Sequence, residues 1–184
     1  MDAKSRITSP KASPTLLCIV FGAISGSLTW ISVDLSSSSN PLLPSSSNGL
    51  HVLLPGLIFG IAVASSLRLF GSRKPVTLVL AIAITIAGWL SAFSVGMVGI
   101  GAGTFGRIVL AGIAGGAVGG LFVALAVSLA NSRFWRIKTW AVTILIAAAA
   151  GALLVTDNGL LLFVIWQSAV LASISYGLSP AQGH

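Results

Sequence analysis

The residues that could do chemistry in this chain are few, and the densest group of them is glycine. Ala111 to Gly120 reads A-G-I-A-G-G-A-V-G-G, five glycines in ten positions inside an apolar run. Such a stretch either cradles a phosphate with backbone N–H groups or lets helices touch. A phosphate loop requires G-x-x-x-x-G-K-[ST] between a strand and a helix. No lysine follows Gly120, and no strand pattern precedes it. Gly112, Gly116 and Gly120 instead recur every fourth residue, which places them on one face of a helix, with Gly115 and Gly119 in a neighbouring row. Gly22 with Gly26, and Gly56 with Gly60, repeat the spacing. In lipid, helices gain little from hydrophobic burial against one another, and close backbone approach at small residues carries much of their association. Gly22, Gly26, Gly56, Gly60, Gly112, Gly116 and Gly120 are therefore expected to pack helices, with the fourth helix either the centre of a bundle or an oligomer face.

The remaining polar residues form no catalytic set. The three acids, Asp2, Asp34 and Asp157, fall in the tail or in loops, so no carboxylate pair exists at membrane depth for acid–base work. Their absence from the apolar runs also argues against a proton relay or a cation-coupled pump. The single cysteine, Cys18, and the two histidines, His51 and His184, make no metal set, no disulfide and no nucleophile–base dyad. No cofactor is expected, and no enzymatic activity.

Gln167, after Trp166, is the one strongly polar side chain well inside an apolar run. It reads as an interhelical hydrogen bond or as a ligand contact, the former favoured. Arg107 opposes the dipole at the start of its helix and reads as a solvated or lipid-phosphate-bound arginine, favoured over a carboxylate partner (Asp34 or Asp157) or an anionic substrate. Asp157 reads as the N-cap of the last helix.

The elements that must carry these residues are membrane spans. Hydrophobic residues make up 55% of the 184 and charged residues 7%, against about 25% charged in soluble domains. The mean hydropathy is +1.02. Six apolar runs, at about 16–33, 50–70, 76–95, 107–130, 139–155 and 160–178, each approach the ~20 residues a bilayer requires. The alternation of a membrane barrel is absent. The fold class is thus all-α, a polytopic membrane bundle of about six helices over 15–178. A disordered basic tail (1–14), a Ser/Pro loop (34–48), a glycine-rich link (96–106) and a short C-terminal tail (179–184) complete it.

Lys4, Arg6 and Lys11, then Arg68, Arg73 and Lys74, then Arg133, Arg136 and Lys138 all fall on one side of six spans. By the positive-inside rule that side is cytoplasmic, with both termini. Trp30, Trp89, Trp135 and Trp140 fall near span ends, as interfacial anchors do. The net charge of +7 comes in short clusters without interleaved aromatics, so nucleic acid is not an expected partner. The basic start and apolar first run also match a signal peptide, but apolar residues continue past Ser25-Gly26-Ser27 to Val33, which favours an uncleaved helix. A shift of 64 residues aligns the segment from Pro55 with that from Gly119, placing Gly56 on Gly120 and Lys74 on Lys138; duplication and chance remain open.

Two functions follow as expectations. The first is a non-enzymatic integral membrane subunit, an accessory or scaffold component whose glycine faces pack against itself or a partner membrane protein. The second is a small-molecule transport protein. Six spans, both termini inside and a long first loop on the other side resemble, in topology and size, the substrate-binding component of energy-coupling-factor transporters. The resemblance implies a pocket lidded by loop 34–48 and lined by Trp30, His51, Arg107, Trp166 and Gln167, with Gly22 and Gly26 as the face that docks a partner subunit. Membrane lipids are the surrounding partners on either reading, and the bacterial inner membrane is the expected location.

Overall fold

A computed structural model describes residues 13–37, 50–72, 74–101 and 103–179, without the side chains of 35–37, 50, 51, 99 and 100. All regular structure among the described residues is helical. The helices are α1 (Pro14–Ser37), α2 (Leu50–Leu69), α3 (Pro75–Gly101), α4 (Phe105–Ala130), α5 (Ile137–Gly151) and α6 (Gly159–Leu178), with short 3₁₀ turns at Ser132–Phe134 and Ala152–Thr156. All six segments are long and apolar enough to cross a membrane, α5 with the help of its 3₁₀ continuation.

Local chemistry explains most boundaries. Pro14 and Pro75 open α1 and α3, where a missing N–H costs nothing. After α2 the chain turns through Gly71 at φ 90°, a left-handed conformation that favours glycine. The sixth helix departs from expectation at its cap. Asn158, not Asp157, accepts the N–H of Leu161, at 2.9 Å. Asp157 takes a left-handed conformation at φ 54° and ends the preceding 3₁₀ turn. The stretch from Gly96 also departs from the link expected of it. Helix α3 runs on through Gly101, and Gly103, at φ 68°, lies in the short break before α4. Glycine interrupts helices in water chiefly because it frees backbone, and a membrane-type apolar helix tolerates it more readily.

Each helix packs antiparallel against the next, and α6 returns to α1, so the six form a closed ring. Helices α2, α4 and α6 also touch one another across the middle, and each is more buried than α1, α3 or α5. Below mid-bundle the centre is solid, with Leu67, Val127, Val170, Leu171 and Ile174 fully buried. Polar atoms close the ring. The hydroxyls of Thr15 and Ser175 share a hydrogen bond of 2.7 Å. Ser168 donates to the Ile19 carbonyl, and Gln167 joins the same α1–α6 seam.

The antiparallel order sorts charge by end. Arg68, Lys74, Arg133, Arg136 and Lys138 gather where α1 begins and α6 finishes. The opposite end holds Asp34, Arg107 and Asp157.

The 64-residue shift does not carry over into packing. Gly56 lies against Ile86 and Trp89, whereas Gly120 lies against Ile144 and Ala147. The shift would put the counterpart of Ile86 at Ala150, so the two helix pairs meet in different registers.

Candidate functional site

The glycine stretch of α4 faces two ways. On one side, Gly112, Gly116 and Gly120 press against α5: a Cβ at Gly112 would strike the Gly151 carbonyl, one at Gly116 the Ala147 carbonyl, and one at Gly120 the Ala147 methyl. On the other side, Gly115 and Gly119 face α3 and α6, with a Cβ at Gly119 falling 2.7 Å from the Trp166 ring. The other glycine pairs are also occupied within the chain. Gly22 and Gly26 lie on the backbone of α6 at Ser168 and Phe163–Val164, and Gly56 and Gly60 lie on α3. Gly22 and Gly26 are thus turned into the bundle, where the partner-docking role implied by the resemblance has no free surface.

Beside these contacts, space remains. A cavity of about 490 Å³ runs from mid-bundle to the acidic end, bordered by all six helices and the 3₁₀ turn at Ala152–Thr156. Gly112, Gly115, Gly116 and Gly119 form part of its wall. Its aromatic lining is Trp30, Phe59, Trp89, Phe93, Phe163 and Trp166. Phe59 and Trp166, with ring centroids 5.1 Å apart, sit at its deep end. Trp89 lies between Phe93 and Phe163, at 6.2 and 5.6 Å. The Trp30 ring lies on the first residue of α6, so closely that a Cβ at Gly159 would overlap it.

The polar hydrogens of this lining are largely committed elsewhere. Trp89 Nε1–H donates to the Val52 carbonyl at 2.7 Å. Trp166 Nε1–H donates to the Ala147 carbonyl at 3.0 Å, and the Thr85 hydroxyl to the Ala81 carbonyl at 2.8 Å. What remains is an apolar, ring-lined space. Asp157 and Asn158 stand at its outer end, and no Lys, Arg or His lies among the lining residues.

Of the residues singled out from sequence, Trp30 and Trp166 line the cavity and Gln167 and Arg107 do not. Gln167 is fully buried in the α1–α6 seam, where its Oε1 accepts from Ser25 at 2.5 Å and its Nε2 donates to Thr29 at 3.1 Å. That geometry is an interhelical clamp: both ends of the amide are taken. Arg107 is exposed in the first turn of α4. His51 belongs to the first turn of α2, with its side chain outside the described residues, as is most of loop 34–48. Phe59, Phe93 and Phe163 were not anticipated, and Trp89, expected as an anchor near a span end, stands near the middle of α3 and lines the cavity because α3 runs on through Gly101. Their shared signal is a position in the half of each span nearer the acidic end, or at its middle.

Among the described residues no three His, Cys, Asp or Glu side chains are grouped to hold a metal ion. The arrangement can enclose a small apolar body and meet one polar head at its mouth. Comparison with protein-family models, with curated proteins and with solved structures finds no match to this chain.

Proposed function

We propose that this chain is a non-enzymatic integral membrane protein of the transport class, which holds a small, mainly apolar molecule in the cavity between its helices. The observation that carries this reading is the cavity. Its volume, about 490 Å³, falls within the ~300–1,000 Å³ of ligand pockets, and an apolar wall with few polar groups is their usual composition. The glycine faces that suggested a packing subunit are taken up by contacts inside the chain, so they do not favour assembly with a second chain over ligand binding.

Membrane insertion is supported by the outer surface. Large apolar side chains such as Val76 (78% exposed), Leu145 (67%) and Ile137 (89%) stand outward around the bundle. Such a surface is stable in lipid and an aggregation hazard in water. The clustering of described basic residues at one end favours a cytoplasmic position for that end and both termini, with the cavity open toward the other side. A bacterial inner membrane fits this orientation.

The test is native mass spectrometry of the full chain released gently from its own membrane. A monomer carrying a small-molecule adduct that Ala111→Phe removes is the expected result, since Ala111 lines the cavity. A bare homo-oligomer or a stoichiometric protein complex without an adduct would overturn the reading in favour of a packing subunit.

A further inference from the structure

We propose that the occupant of the cavity is an amphiphilic organic cation, its apolar body held among the aromatic rings and its positive head beside Asp157. This rests on the cavity being a ligand site and adds the ligand's charge. The local balance of charge is opposite to that of the chain. The protein carries a net +7, yet the cavity is bordered by one carboxylate and no basic residue. The described basic residues of the chain, Arg107 apart, gather at the far end. Arg107 neighbours the lining residue Ile108 but is itself exposed and outside the lining.

The walls agree with the mouth. Ring faces attract a cation within about 6 Å of the centroid, tryptophan most strongly, and more so when water is excluded. Three tryptophans and three phenylalanines border this space. An anion would need hydrogen-bond donors, and the indole N–H groups of Trp89 and Trp166 and the Thr85 hydroxyl are already donating to backbone carbonyls, which leaves the Trp30 indole N–H and the Asn158 amide as the side-chain donors of the lining. With one carboxylate, no basic residue and six aromatic rings in the lining, the site suits a lipophilic cation better than an anion.

The test uses the full chain in phosphatidylcholine nanodiscs, with binding read by equilibrium dialysis and corrected for partition into empty nanodiscs. The probes are (4-phenylbutyl)trimethylammonium and its uncharged isostere with carbon in place of the quaternary nitrogen. The variants are Ala111→Phe, which fills the cavity, and Asp157→Asn, which removes only charge. Asparagine tolerates the left-handed conformation of residue 157, so this exposed substitution keeps the fold. The cation is expected to bind saturably, and its isostere about tenfold more weakly, a difference of ~1.4 kcal/mol. Asp157→Asn should weaken the cation by a similar factor and leave the isostere unchanged, and Ala111→Phe should abolish both. Equal binding of both probes, insensitive to Asp157→Asn and lost in Ala111→Phe, would overturn the cationic assignment while leaving the cavity as the site. Binding insensitive to Ala111→Phe, or binding of neither probe, would overturn the cavity reading as well.

Discussion

Replacing Gly116 by alanine tests whether the glycine row of α4 acts inside the chain. The new methyl would overlap the Ala147 carbonyl oxygen and lie 3.0 Å from its carbon and 3.1 Å from the Cα of Ala148. All three neighbours are backbone, so no side chain can rotate away, and α4 and α5 must separate. A radial gap of ~0.5–1 Å already forfeits a quarter to a half of each dispersion contact along the seam. Gly112, Gly120 and Gly151 share that seam, so the loss is spread over several turns. Overpacking of this kind costs about 1–3 kcal/mol, and this site belongs in the upper half of that range. The control is Gly106→Ala in the same helix, where nothing beyond its chain neighbours and its own helix backbone stands within 4 Å of the added methyl. It should be neutral or slightly stabilising, since glycine is disfavoured in a helix by about 1 kcal/mol relative to alanine. The assay is equilibrium unfolding in mixed micelles followed by circular dichroism, with oligomeric mass checked for each variant. Unchanged stability in Gly116→Ala would refute the close α4–α5 contact. An altered oligomeric mass with unchanged unfolding would return the glycine row to an intermolecular role.

Two further outcomes follow from the α1 side of the ring. Gln167→Leu removes both bonds of the clamp to Ser25 and Thr29, at about 0.6 kcal/mol each in membrane bundles; a loss near 1 kcal/mol in the same unfolding assay, with ligand retention unchanged, is expected, and reduced retention would place Gln167 at the ligand after all. Cys18 is fully buried, so a membrane-permeant maleimide should label it only when helices separate; labelling at the rate of a free thiol in folded protein would contradict the burial of α1's inner face.

The six helices were legible because apolar runs long enough to cross a membrane are written continuously along the chain. The extent of α3 was not, because Gly96 and Gly101 read as breakers by the rules of water. Gln167 was legible as a residue needing a partner, whereas its partners Ser25 and Thr29 look like any membrane-helix hydroxyls until α6 is laid against α1. The cavity was the least legible feature. It is a space bordered by residues of all six helices, and an absence assembled from separate spans leaves no local pattern. Trp30 and Trp166 could be named in advance as large amphipathic side chains. Phe59 and Phe163 are indistinguishable in sequence from the phenylalanines elsewhere.

The seam between the first and last helices sets an order of events during synthesis. Ser25 and Gln167 are 142 residues apart, and Thr29 and Gln167 are 138 apart. At ~5–20 residues per second a ribosome spends roughly 7–28 s between them. On the membrane reading, α1 spends that interval in the bilayer with its hydroxyls turned back on their own helix, as Ser25 already is toward the Gly22 carbonyl. The cavity has no complete wall until α6 arrives, so on the ligand-binding reading a nascent chain cannot trap an occupant early. A chain stalled or truncated before residue 159 would present an open cleft of glycine backbone to the lipid, a state that a membrane quality-control protease could recognise by its unsealed edge.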